Sequence, residues 1–285
     1  MAGMPEPGIP IERFEVFATG LDHPECLAFD RGRMLWAGGE AGQVYLIDSA
    51  GKVETVATLG GFNGGLAFSP LDHDLYVCNP THGLVRVKST GRHRVFAAGA
   101  DGRTMVCPNY PVFDRRGRLY VTDSGNWKKR NGALLRFEPD GTGRVTAGPF
   151  GYANGLALSA DERTLFMVES DTDRVYRFDL SADGAVGPPE VYADQIGRLP
   201  DGMALDEAGN LYVACYASDE IWRIAPSREK TLLGWDHFGI LLGRPTNLAW
   251  GGPDRDTLYI ANLGRTTITR VRLPGVRGQR LAHQE

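Results

Sequence analysis

Glu25, Asn109, Asn154 and Asp201 share a position in the sequence. Each stands two residues ahead of an apolar triplet: Leu27-Ala28-Phe29, Pro111-Val112-Phe113, Leu156-Ala157-Leu158 and Met203-Ala204-Leu205. Around two of them the phrase is nearly the same, "NGLALSADERTLFMVES" at 154–170 and "DGMALDEAGNLYVACY" at 201–216. Two carboxylates and two carboxamides, with no thiolate or imidazole, form the donor set of a hard divalent cation: Ca2+ first, with Mg2+, Mn2+ or Zn2+ as alternatives. Taken singly, Asn and Asp ahead of a strand are ordinary turn formers. Glu25 has no such turn preference, and four oxygen donors at one repeated position point to a site.

Whether these side chains can meet depends on the elements that carry them. The triplet occurs twice more, as Leu66-Ala67-Phe68 and Leu248-Ala249-Trp250, so six copies recur at intervals of 39 to 47 residues. Each is followed by a turn, a second strand ("DLYVCN", "RLYVTD", "TLFMVE", "NLYVAC", "TLYIAN"), a third ("QVYLI", "LLRF", "EIWRI") and a weaker fourth. Four short strands in a repeat of this length are the mark of a propeller blade. Six repeats predict an all-β, six-bladed β-propeller, a single domain over 1–285 with tails at about 1–11 and 274–285. The sixth repeat lacks a fourth strand, and "ERFEVFATG" at 12–20 supplies one, closing the ring and covering a sheet edge. The first strand of every blade lines the central channel. The four donors, with Gly64 and Thr246 at the remaining two places, therefore ring one mouth of that channel. The two small residues leave room for a substrate.

Bulk properties narrow the function classes. A formal net charge of −4 and one short basic run, Lys128-Lys129-Arg130, give no footprint for nucleic acid. No apolar run approaches membrane-spanning length, and the first residues lack a signal-peptide pattern. Four scattered cysteines without CxxC spacing read as reduced thiols of a cytoplasmic protein. Oligomeric state is not encoded in any of these features.

The segments 154–180 and 199–216 resemble the family of senescence marker protein (regucalcin), gluconolactonases and luciferin-regenerating enzyme, and the likeness runs from "DHPECLAF" to "PTNLAWGG". The resemblance implies a metal-dependent lactonase that opens a cyclic ester to a hydroxy acid. It implies Glu25, Asn154 and Asp201 as metal ligands and Asn109 as a substrate contact. Sugar-lactone members tend to carry Arg two residues before that Asn and Asp just after it; here "CPNYP" offers Cys107 and Tyr110. These two are expected either to face a less polar substrate or to pack at a strand end. Asp201 is the expected acceptor of a proton from water, as catalytic base, ligand or both. A non-catalytic calcium- or metabolite-binding propeller, and a propeller hydrolase for another ester such as a phosphotriester, are the alternatives.

Loops on the same face complete the expected surroundings. "TDSGNWKKRNG" at 122–132, with Trp127 and Lys128, is expected either as a lid or as a solvated excursion, Tyr152 and Tyr216 stand at the rim, and "GWDHFGILLGRP" at 234–245 offers Phe238, Ile240 and Leu241 as an apolar wall. His23 and His237 are expected to make loop hydrogen bonds. No GxSxG elbow supports a serine nucleophile.

Overall fold

The computed structural model describes residues 6–285, so positions 1–5 of the expected N-terminal tail lie outside the described residues. Six four-stranded antiparallel sheets follow one another in sequence, the arrangement of a six-bladed propeller. Their inner strands are Cys26–Phe29, Leu66–Phe68, Pro108–Phe113, Ala153–Leu158, Pro200–Leu205 and Pro245–Gly251. The ring closes as the repeat pattern predicts. Glu15–Thr19 pairs antiparallel with Thr267–Arg272, setting Glu15 against Arg270 and Thr19 against Thr267. This strand is shorter than the 12–20 phrase, because Ile11–Arg13 form a single 3-10 turn.

Each blade buries both faces, which explains why the triplets contain no polar residue. Leu27 and Phe29 pack towards blade six, whereas Cys26 and Ala28 pack towards blade two. The hydrophobic core is accordingly divided into six clusters, one for each contact between neighbouring blades. An aromatic on the second strand of one blade meets the last triplet residue of the next. Trp36 meets Phe68, Tyr76 meets Phe113, Tyr212 meets Trp250 and Tyr259 meets Phe29, all edge to face with centroids 4.9–5.7 Å apart. Such pairs add about 0.5–1.5 kcal/mol each beyond the area they bury. The recurring "LYV" of the second strands is thus a blade-to-blade latch.

Inner strands enter at one face of the ring and leave at the other. The second face is covered by residues near the C-terminus. Gln279 donates its backbone N–H to Leu205 O (3.0 Å) and its side-chain amide to Leu158 O (2.8 Å). His283, 5% exposed, bonds Phe29 O through Nε2 at 2.8 Å. Among the described residues no helix is long and apolar enough to cross a membrane.

Candidate functional site

A β-bulge stands at the mouth of four inner strands. Pairing shifts by one residue between Pro108 and Pro111, Ala153 and Leu156, Pro200 and Met203, and Pro245 and Asn247. Those intervals contain Asn109, Asn154, Asp201 and Thr246. A bulge adds one unpaired residue and re-aims its side chain, so the repeated polar position is the position turned out of the ladder. Glu25 reaches the mouth without a bulge, its N–H donating to Gly38 O at 3.0 Å.

The glycine after Asn154 and Asp201 lets the strands approach closely enough for the ring to form. A Cβ on Gly155 would stand 2.4 Å from the carbonyl oxygen of Asp201, and one on Gly202 would stand 2.5 Å from that of Thr246. The "NG" and "DG" of the sequence are therefore packing requirements. Thr246 ties the ring across the closure by donating its hydroxyl to Glu25 O (2.7 Å).

Glu25, Asn109, Asn154 and Asp201 line one cavity of about 310 Å³, together with Cys107, Trp127 and Tyr216. Seven of the eight expected site residues thus come together. Tyr110 does not. Its side chain lies below the cavity, against the core cluster of blades three and four, and reaches across the channel to donate its hydroxyl to Asn247 Oδ1 of blade six at 3.4 Å. The bulge at 108–111 turns Asn109 to the mouth and leaves Tyr110 directed down the channel. The apolar wall expected from 234–245 is also elsewhere, since Phe238 is 77% and Ile240 61% exposed; Phe62, Leu199 and Leu263 supply it instead. His23 makes its loop hydrogen bond to Leu263 O at 2.9 Å.

Two buried carboxyl groups dominate the electrostatics of the mouth. Glu25 Oε2 and Asn154 Oδ1 are buried and have no hydrogen-bond partner among the described residues. Burial, and next the charge of Asp201, push the Glu25 carboxyl well above the usual range. Burial raises Asp201 to about 8, against a hydrogen bond from Asn154 that lowers it. Orphaned oxygens and two carboxylates held together in a poorly solvated cavity fit a divalent ion. Another acid-rich group, Asp22, His23 and Glu40, lies on the rim. Asp22 Oδ2 there already accepts from Gln43 Nε2 (2.9 Å) and Ala41 N (3.2 Å), and His23 holds the loop.

Ser170 is a residue the sequence reading passed over. Its hydroxyl donates to Pro200 O (2.6 Å), so it can only accept from Asn154 Nδ2 (3.1 Å). That chain of donors fixes the Asn154 amide with its oxygen left for the site. Asp123 is a second such support: it accepts from Cys107 N (2.7 Å) and Val106 N (3.1 Å) and pairs with Arg103 (2.8 Å). The signal was present as the polar residue that ends or follows a second strand.

A further ring lies two residues ahead of the mouth positions, at His23, Phe62, Cys107, Tyr152, Leu199 and Arg244. Four of these six, Phe62, Cys107, Tyr152 and Leu199, line the cavity. Left-handed backbone at His23, Tyr152, Leu199 and Arg244 (φ 42, 64, 50 and 53) turns the chain into the strand, a conformation that costs about 1–3 kcal/mol for a residue with a side chain. Tyr152 stacks edge to face with Trp127 (5.0 Å), and Arg244 lies over the Tyr216 ring (5.1 Å) while donating to its hydroxyl (2.9 Å). Among the described residues, no arginine or lysine lines the cavity itself.

The model of the SMP-30/Gluconolactonase/LRE-like region matches residues 23–264. The pentonolactonase of Haloferax volcanii is 30% identical over 159 residues, which are 55% of this chain and 53% of that protein. The chain spans about half the length of the first curated relatives it matches. A solved gluconolactonase from Xanthomonas campestris superposes with a TM-score of 0.79 at 20% identity, covering 92% of this chain and 89% of that one. A solved calcium-binding protein, regucalcin, from Agrobacterium tumefaciens gives 0.77 at 18% identity, covering 97% and 98%. At these identities the structural likeness is one of fold.

Proposed function

The chain belongs to the SMP-30/gluconolactonase/LRE-like family, and on that footing we propose that it is a divalent-metal-dependent lactonase. The observation that carries the metal dependence is the pair of buried, unpartnered oxygens on Glu25 and Asn154 beside the raised carboxyl of Asp201. These three residues would hold the ion, with Ca2+ the first candidate for an all-oxygen set. Once bound, a divalent ion supplies Lewis-acid polarisation of a carbonyl and a lowered pKa for water.

The residues of the chain do the rest. Asp201 accepts a proton from the water that adds to the lactone carbonyl carbon. As the ring C–O bond breaks, the same carboxyl returns that proton to the departing oxygen, leaving a hydroxy acid. Asn109 and Cys107 flank the substrate, and Trp127 with Tyr152 covers the mouth and limits bulk water. With Cys107, Phe62, Leu199 and Leu263 around it and no cationic side chain in the lining, the cavity favours a lactone with an apolar portion over an anionic sugar lactone.

A panel of aliphatic and sugar lactones, followed by pH indicator with and without chelator, tests this reading. Turnover that vanishes with chelator and returns with Ca2+, Mg2+, Mn2+ or Zn2+ is expected. Turnover untouched by chelator would sink the metal dependence, and a cation-induced rise in melting temperature without turnover on any lactone would favour a binding protein.

A further inference from the structure

A second concavity, of about 390 Å³, lies at the other end of the channel. It forms where the turns that follow the first and sixth triplets meet the C-terminal segment. Five arginines line it, Arg31, Arg33, Arg255, Arg277 and Arg280, against two carboxylates, Asp30 and Asp254. The chain as a whole carries a formal charge of −4, so this local excess runs against the rest of the molecule.

The protein offsets it only in part, through Asp30, Asp254 and Glu207. Asp30 commits its oxygens to Met34 N (2.9 Å) and Trp36 Nε1 (3.0 Å). Among the described residues only one of the five guanidinium groups is in an ion pair, that of Arg255 with Glu207 (2.6 Å). The other terminal nitrogen of Arg255, Nη1, is buried and finds no acceptor among the described residues. Trp250 lines the same pocket, is 7% exposed, and its indole N–H is likewise without an acceptor. Glu285, which feels the charge of Arg280, is paired with Arg115. Buried donors without acceptors are costly, but these two are out of reach of solvent; what calls for an anion is the group of exposed guanidinium side chains that line the pocket without an acid partner.

We propose that this pocket binds a small phosphorylated molecule through its phosphoryl group. A phosphoryl group brings three acceptor oxygens and close to two charges at neutral pH, which suits several planar guanidinium forks. A lone carboxylate brings two oxygens and one charge, too few for this donor set. The volume is that of a metabolite site. Asp30 is five residues along its chain from Glu25, roughly 16 Å if extended, so occupancy here does not compete with a substrate at the mouth.

Calorimetric titration with inorganic phosphate at fixed ionic strength tests the proposal, comparing the full chain with Arg33→Gln/Arg277→Gln. Both side chains are exposed, and an unchanged thermal melt and lactone turnover will show that the variant folds. Saturable one-to-one binding, weakened at least tenfold in the variant, is the expected result. An effect of phosphate on a bound cation would be equal in the two proteins and cancels. Heats that match a chloride control, or equal affinity in both proteins, would overturn the proposal. Binding to phosphatidylserine vesicles with none to free phosphate would overturn it too, replacing the pocket by a membrane-facing patch.

Discussion

At its mouth the central channel is ringed by Glu25, Asn109, Asn154 and Asp201, with two oxygens that have no partner among the described residues. Only a few residues along the same strands, Phe29, Phe68, Phe113 and Trp250 line an apolar end covered by Gln279, Leu281 and His283. The strands are common to both ends, so strand identity does not make the difference. At the mouth the ladder is interrupted by bulges, and at the far end it is regular and latched by aromatic pairs. The bulges turn Asn154 and Asp201 out of the ladder and leave Asn154 Oδ1 without a partner, at a cost in stability; regular pairing with aromatic contacts contributes stability. At one end polar groups converge, and at the other the blades are held together, with the arginine-lined pocket at its edge.

That contrast can be broken most directly at Asp201. Asp201→Asn keeps the shape and one oxygen donor but removes the proton acceptor. A loss of about 10²–10⁴ in lactone turnover is expected, with a melt in the absence of metal that is no lower than the parent's, since a carboxyl disfavoured by burial is replaced by a neutral amide. Rescue to full turnover by excess metal would make Asp201 a ligand alone.

The next largest effect is expected at Ser170. Ser170→Ala removes the group that orients Asn154, and cation affinity should fall about 10–100-fold, as for other residues supporting a ligand. Titrating the metal-induced rise in melting temperature measures this, since binding to the folded state alone stabilises by mass action. An unchanged titration would mean that Asn154 is oriented without Ser170. Glu25→Gln and Asn154→Ala should shrink the rise further.

At the held end, effects should fall on stability and leave cation affinity alone. Removing residues 278–285 takes away the Gln279 and His283 bonds and exposes Phe29 and Trp250. A drop of about 2–4 kcal/mol is expected, on the scale of one or two large side chains uncovered. Equal cation affinity before and after would sharpen the separation of the two ends, and a parallel loss would erase it.

The smallest effect concerns pH. Burial lowers the pKa of His283, against the raising influence of Phe29 O and Asp30, while His73 lowers it further. The unfolded chain therefore binds the proton first as pH falls through the ordinary value of about 6.5. Stability is full above that pH and declines on acidification until the folded state also protonates, by at most about 1.4 kcal/mol per pH unit. Melts between pH 7.5 and 5.5 should show a shallower decline in His283→Gln than in the parent chain.

The blade count, the closure by an N-terminal strand and the place of the polar ring were legible because each is repeated. Six copies of one phrase report six equivalent positions, and equivalence around an axis is convergence. Which way a side chain points was not legible, because it depends on a bulge of one residue that pairing with the second strand decides. Asn109 therefore faces the cavity while Tyr110 next to it joins the core. Nor did spacing reveal that Ser170 would accept from Asn154, sixteen residues away, or that the polar C-terminal residues would cover the channel. The sequence by itself determined the propeller and the six positions that face its axis, since local strand pattern and repetition suffice for both. The tertiary structure alone decided which atoms at those positions are left without partners, because a hydrogen bond is satisfied or orphaned only once distant strands have met.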